Sequence, residues 1–275
     1  MSNSSFFKTL GALPFPLTIS HYHLFNSAVS KEQFREHKLD STESWDLLRS
    51  SEPLFSIPDT REEWVAVSEH AIRKDGQDAR LQERAHDIVA LLKEKNINSV
   101  FSIGAGGAGL EYLIMKAFPE LHLVCSDYAP KTVEILKKVF TEAVSVERFD
   151  AREDDWLRVV HSTAGPTLCL MYRVDAQLTD REWRDIFAKM AAEGVVYVLY
   201  IPTGFLTLRS LLSRLRSRLR WALAGKQSVF SGYLRTKYTF LSFWQAHYAT
   251  EELTLGGMSA FWLSTPHASN GSISS

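Results

Sequence analysis

The run SVFSIGAGGAGLEYLIMKAFPELHLVCSD, residues 99–127, decides the fold. Its first five residues read as a short buried strand that leads straight into Gly104-Ala105-Gly106-Gly107-Ala108-Gly109. Glycine allows a sharp turn and leaves no Cβ between the backbone and a ligand. A helix opens directly after the loop, so its first N–H groups are free to meet that ligand. The next apolar run, LHLVC at 121–125, leads to Asp127, which stands 23 residues after Gly104. That distance is one βαβ unit, and a carboxylate ending its second strand can accept both ribose hydroxyls of a nucleoside. A glycine-rich hexapeptide by itself is a weak signal; strand, loop, helix and acid in register make a specific one.

Short apolar runs continue outward at 144–149, 167–172 and 194–201, with helical stretches at 109–118, 130–140, 153–161 and 179–192. Before the loop, residues 81–96 put Leu81, Ala85, Ile88, Leu91 and Leu92 on one helical face. This alternation predicts an α/β fold of three layers, a mostly parallel sheet with helices on both sides. After a Leu/Arg helix at 205–222 come two last runs, 237–244 (KYTFLSFW) and 258–264 (MSAFWLS), only 13 residues apart. That gap is too short for a helical crossover and predicts an antiparallel pair at the C-terminal edge of the sheet. Residues 1–40 carry aromatics without a clean period. From Ser41 the pattern turns helical, first with Trp45, Leu47 and Leu48, then with Trp64, Val67 and Ile72 behind a cap at Asp59 or Thr60. The expected division is an N-terminal helical cap or lid, 1–79, a ligand-binding domain, 80–266, and a disordered Ser/Asn/Gly-rich tail, 267–275.

The 275 residues carry 31 Lys+Arg against 32 Asp+Glu, a formal net charge of −1. That excludes a polycation built to hold bulk nucleic acid. With 45% hydrophobic and 23% charged residues, wholesale disorder is excluded as well. No apolar run reaches about 18 residues, and the start lacks the pattern of a signal peptide. Cys125 and Cys169 each sit in an apolar run and read as buried reduced thiols, too few for a disulfide framework or a cysteine zinc site. The expected compartment is the cytoplasm.

These residues together resemble the class I S-adenosylmethionine (SAM)-dependent methyltransferases. That family places a glycine-rich loop after its first strand, an acid after the second and a further Asp, often in an Asp-Ala pair, after the third. Phe149-Asp150-Ala151 matches the last position, and the resemblance covers about residues 80–264, including two closely spaced final strands. It implies a Rossmann-like sheet, SAM as cofactor and methyl transfer as the activity. Residue by residue, it implies that Gly104, Ala105 and Gly106 border the amino-acid part of SAM, Asp127 the ribose, and Asp150 with Ala151 the adenine. Tyr128 and Tyr172 are further implied cofactor contacts. Two positions depart from the family: Ser102 stands where it usually has Asp or Glu, and Ala108 where its third glycine falls. They leave open an inactive methyltransferase-fold protein serving as a binding or scaffold subunit. GAGGAG also satisfies the G-x-G-x-x-G of dinucleotide folds, so an NAD(P)-dependent oxidoreductase is the alternative enzyme. Only about 165 residues follow the loop, little for a second nucleotide-binding unit and a substrate domain.

Methyl transfer from a sulfonium mainly needs alignment, with a general base when the acceptor is a hydroxyl. The fourth and fifth strands of the domain run to Tyr172-Arg173-Val174-Asp175 and Tyr200-Ile201-Pro202-Thr203, which should line the acceptor side. Asp175 is the candidate catalytic base or acceptor clamp, and Arg173 could hold an anionic substrate. The aromatic N-terminal segment (Phe25, Phe34, Trp45, Phe55, Trp64) is expected to close the pocket opposite Asp175. Near-neutral charge and the lack of an Asn/Asp-Pro-Pro-Tyr tetrapeptide favour a small-molecule, lipid or glycan acceptor, with no specific nucleic acid. His21 and His23 would share one strand face, but nothing completes a ligand set, so no metal is expected. In the 205–222 helix, Leu208, Leu211, Leu212, Leu215 and Leu219 form a stripe flanked by arginines. Its ordinary reading is a crossover packed on the sheet; its functional one is a surface for an anionic membrane or an acidic partner. The oligomeric state stays open.

Overall fold

The computed structural model describes residues 12–23, 46, 49, 56–69, 80–140, 144–161, 165–224 and 229–266. Trp45, Leu47 and Leu48 of the first expected helix, Ile72 of the second, the aromatic residues Phe25, Phe34 and Phe55, and the tail 267–275 lie outside them; Asp46 and Arg49, which are described, are helical. Within the described residues, β1 (Thr18–His23) pairs antiparallel with β7 (Val229–Arg235) as a separate two-stranded ribbon. The main sheet holds five parallel strands, β2 (Ser99–Ile103), β3 (His122–Asp127), β4 (Val144–Arg148), β5 (Thr167–Tyr172) and β6 (Tyr197–Ile201). The antiparallel strands β8 (Ala249–Leu255) and β9 (Met258–Ser264) complete it, in the order β4-β3-β2-β5-β6-β9-β8.

All five side chains of β2 are buried, as expected of a central strand covered on both faces. Its register sets Phe101 beside Val124 of β3 and Cys169 of β5. One face of the sheet packs against α1 (Arg61–Glu69), α2 (Leu81–Glu94), α3 (Gly109–Ala117) and α4 (Pro130–Val139), through Trp64, Ile88, Leu92, Ile114 and Leu136. The other packs against α5 (Leu157–Val160), α6 (Asp180–Ala192) and α8 (Lys237–Trp244), through Trp156, Trp183, Phe187, Phe240 and Trp244. Local chemistry starts these helices in place. Pro130 opens α4, where its missing N–H costs nothing. Thr179 and Glu182 form a reciprocal capping box at α6.

Residues 237–244 are the helix α8, where an edge strand was expected. Phe240, Phe243 and Trp244, three and four residues apart, turn one face into the core, and the Thr236 hydroxyl caps the start by accepting from the Thr239 N–H. The antiparallel edge itself is present, but its first strand is 249–255, whose charged residues hide it from an apolar-run reading. Gly256-Gly257, with φ of 50° and 73°, joins it to β9 as a two-residue hairpin turn, and Leu255 faces Met258.

The Leu/Arg helix is α7 (Leu208–Leu223), and it is not a crossover packed on the sheet. Its exposed side carries most of the leucines, while the opposite side meets the ribbon through Arg214 and Arg218. The N-terminal segment is likewise not wholly helical, since it supplies β1. Among the described residues no helix is long and apolar enough to cross a membrane. Cys125 and Cys169 are buried and unpaired, and burial pushes both thiols up.

Candidate active site

Beyond β2 the chain turns through Gly104, Gly106 and Ala108, all with positive φ, before α3 begins. The Ala105 N–H donates to the Ser126 carbonyl at 2.9 Å, which ties the loop to the end of β3. The Trp64 indole N–H of α1 donates to the Gly107 carbonyl at 2.8 Å from the other side. A Cβ built on Gly106 would have the Gly104 carbonyl, 3.9 Å away, as its nearest neighbour, so the space over this residue is open. Ala108 holds φ 52° with its methyl buried, a conformation that costs a non-glycine residue about 1 kcal/mol.

Three carboxyl groups surround the loop. The Asp127 carboxylate, at the end of β3, accepts from the Gly106 N–H at 3.1 Å and the Ala129 N–H at 2.9 Å, with the Arg49 guanidinium 3.6 Å away. Burial pushes its carboxyl up, against the opposing pull of Arg49 and the two N–H groups. Asp150 lies buried after β4 and accepts from Arg152 in a fork, Nε at 3.0 Å and Nη2 at 2.8 Å. Burial alone would raise its carboxyl, but these bonds from Arg152 outweigh it and hold the group below the usual range. The third is Glu111, on the first turn of α3 and fully buried. Its Oε1 accepts from the Ser102 hydroxyl at 2.7 Å, and burial pushes its carboxyl up to about 6. The strand position that lacks an acid thus binds one presented by the next helix. No pattern signals this in the sequence except an acid in the first helical turn after the loop.

One cavity of about 940 Å³ opens beside these groups, at the carboxyl ends of β2, β3, β4 and β5. Gly104, Ala105, Gly106, Asp127, Tyr128, Asp150, Ala151 and Tyr172 all line it, together with Glu111. The N-terminal segment adds Arg49, Ile57, Trp64 and Ser68, and the ribbon adds Tyr22, Phe230 and Tyr233. Tyr172 is held by the Arg84 guanidinium, which donates to its hydroxyl at 2.8 Å. Arg173 also lines the cavity, with the left-handed φ of 60°.

Asp175 is not among the lining residues. Its Oδ1 accepts from the Thr203 N–H at 2.7 Å and the Thr203 hydroxyl at 2.9 Å, and it is Thr203 that faces the cavity. Burial pushes the Asp175 carboxyl up, with the Thr203 bonds opposing. Beside it stands Arg235, which spacing did not single out. Its side chain is 0% exposed, and it donates to Asp180 Oδ1 at 2.7 Å, to the Asp175 carbonyl at 2.5 Å and to the Leu178 carbonyl. These bonds clamp the ribbon onto the loop after β5. Gly232 lets the backbones meet there: a Cβ at this position would sit 2.1 Å from the Ala176 carbonyl oxygen.

No protein-family model matches this sequence, and no curated protein matches it. Solved structures do. The S-adenosylmethionine-dependent methyltransferase SibL in its apo form aligns at 15% identity and TM-score 0.52, over 87% of this chain and 69% of that one. The mitomycin 7-O-methyltransferase MmcR aligns at 14% identity and TM-score 0.52, over 87% of this chain and 76% of that one. The fold is that of the class I SAM-dependent methyltransferases. Human N-acetylserotonin methyltransferase in complex with SAM also aligns, at 15% identity and TM-score 0.47, over 86% of this chain. This chain spans 65% of its length. In the methyltransferase fold of this chain the cavity lies beyond the carboxyl ends of the strands, where open α/β sheets bind ligands.

Proposed function

We propose that this protein transfers a methyl group from SAM to a small molecule held between the glycine loop and the β1–β7 ribbon. The observation that carries the reading is the single cavity that runs from the open space over Gly106 to Tyr22, Phe230 and Tyr233. It is large enough for a nucleoside and a second molecule side by side. When bound, SAM supplies a methyl group on a sulfonium already activated for displacement. Gly104 and Gly106 let the backbone approach its amino-acid part, and Glu111 provides the negative charge that Ser102 lacks. Asp127 spends one lone pair of Oδ1 on the Ala129 N–H and one of Oδ2 on the Gly106 N–H; Oδ1 keeps a second for a ribose hydroxyl, while Oδ2 shares its second with Arg49, 3.6 Å away. Asp150 and Ala151 border the adenine, with Arg152 keeping the Asp150 carboxylate ionised. Tyr128 and Tyr172 form walls.

On the acceptor side the chain's contribution is alignment and the exclusion of water. The three ribbon aromatics supply an apolar cover, and Arg173 and Thr203 the polar contacts. Asp175 acts here as a positioning residue for Thr203, because its Oδ1 accepts from both the N–H and the hydroxyl of that cavity-lining residue. This arrangement suits a small-molecule, lipid or glycan acceptor better than nucleic acid.

Calorimetry with SAM, S-adenosylhomocysteine and NAD tests the cofactor. The first two should bind and NAD should not; NAD binding without SAM would turn the reading to an oxidoreductase. One observation favours a non-catalytic binding protein, the engagement of Asp127 and Asp150 by Arg49 and Arg152. Binding of none of the three ligands would support it. Methyl-labelled SAM incubated with the protein and separated small-molecule, lipid and glycan fractions then identifies the acceptor class by the fraction that takes the label.

A further inference from the structure

Helix α7 packs the wrong way round for a helix that serves only the core. Leu208, Leu212, Leu215, Leu219 and Leu223 follow one another at spacings of three and four, and all five are between 47% and 81% exposed. The side turned to the protein is instead polar or mixed. Arg214 donates to the His21 imidazole at 2.6 Å, and the Arg218 guanidinium lies 4.5 Å over the Tyr22 ring. Arg209, Arg216 and Arg220 run along the edge of the leucine stripe, and all three are exposed. Among the described residues no carboxylate pairs with them. The charge is local: the chain as a whole is at −1, yet no Asp or Glu occurs between Glu193 and Glu251, while eight Lys or Arg do.

A stripe of leucine beside a row of arginine suits an occupant that is apolar and anionic at once. A second copy of this helix is apolar but would set arginines against arginines, a repulsive pairing. We propose that α7 adsorbs flat onto an anionic lipid surface, its leucines entering the acyl boundary and its arginines meeting the headgroups. The helix is about 24 Å long at 1.5 Å per residue, and it lies in the interface without spanning it. The proposal does not depend on methyl transfer, since the binding is read without SAM.

The test is sedimentation of the full chain with vesicles of phosphatidylcholine alone and of phosphatidylcholine mixed with phosphatidylglycerol. Binding is expected to the mixed vesicles only and to weaken as salt rises. Leu212→Gln with Leu215→Gln and Leu219→Gln should lower it roughly tenfold or more. Arg209→Gln with Arg216→Gln and Arg220→Gln should lower it about a hundredfold, near fivefold for each arginine. Circular dichroism checks that the variants fold. Should the leucine triple variant fail to fold, Leu215→Gln alone carries the same test with a smaller loss. No binding to the mixed vesicles overturns the proposal, as does a folded leucine variant that binds like the wild type. So does a concentration-dependent dimer that the leucine variant dissolves, or equal binding to soluble polyglutamate.

Discussion

Gly106 holds φ 56° beside open cavity, so an added side chain meets no neighbouring protein group but strains the backbone. Gly106→Val should therefore abolish SAM binding by calorimetry, at a local cost in stability of about 1–2 kcal/mol, while far-ultraviolet circular dichroism stays that of the wild type. Asp127→Ala removes a charge-assisted acceptor worth roughly 1.5–3 kcal/mol, so SAM affinity should fall about ten- to a hundredfold. Unchanged affinity in that variant would remove Asp127 from the ribose site. Glu111 makes a prediction with a sign. Its carboxyl is pushed from 4.5 to about 6 by burial, so the folded protein holds that proton more tightly than the unfolded chain does. The contribution to stability is then full below about pH 4.5 and is lost as pH rises through about 6, by about 2 kcal/mol. Glu111→Gln escapes that loss. In denaturant melts without ligand, the variant should gain about 2 kcal/mol on the wild type between pH 4.5 and 7.5, while its SAM affinity at neutral pH falls. A pH-independent difference would mean that burial does not raise the carboxyl. That Gly104, Gly106, Asp127 and Asp150 lie together at the strand ends beside the cavity was legible in the sequence, because loop and strand-end positions follow from local periodicity. Glu111 was not, because its partnership with Ser102 exists only once α3 folds back over β2.

At the scale of elements, one buried residue ties the ribbon to the rest of the domain. Arg235 is buried and bonds Asp180, the Asp175 carbonyl and the Leu178 carbonyl. The Thr18 hydroxyl donates to the other oxygen of the same Asp180 carboxylate at 2.7 Å, which joins both strands to the N-terminus of α6. Arg235→Met leaves that buried set without its donor and should cost about 3 kcal/mol or more by denaturant melt. Acceptor turnover should fall further than SAM affinity, since the proposed nucleoside contacts follow β3 and β4. Equal losses in both would mean that the ribbon supports the cofactor as much as the acceptor. The misassigned edge strand belongs to this scale too. KYTFLSFW is apolar at most positions, so a run-length reading fits strand and helix alike. The Thr236 cap and the burial of Phe240, Phe243 and Trp244 on one side decide for the helix. Residues 249–255 carry Glu251 and Glu252 and lie on the outermost strand, where one face stays in water. A strand there needs no apolar run, and the Gly256-Gly257 turn was its better signal.

For the molecule as a whole, the cavity is shared between the sheet and segments remote in sequence: Arg49, Ile57 and Trp64 from the N-terminal side, Tyr22 from β1, Phe230 and Tyr233 from β7. Deleting residues 1–40 removes β1, leaves β7 without its partner and opens the ribbon side. Transfer should then be weakened or lost while SAM still binds, as measured by turnover and calorimetry on the same preparation. A truncated protein with full activity would sink the idea that this segment covers the acceptor. The sequence by itself determined the parallel α/β core, its glycine loop and the acids that follow the strands. Each of these is written in contiguous residues, as a period of two or of 3.6, a turn, or a strand end. Only the tertiary structure decided that β1 and β7 pair across roughly two hundred residues. It also decided that Asp175 binds Thr203, that Glu111 answers Ser102, and that the leucines of α7 face outward. Those outcomes depend on which surfaces meet once the chain closes, and no local pattern carries the competition between a leucine stripe and an arginine–aromatic contact for the same ribbon.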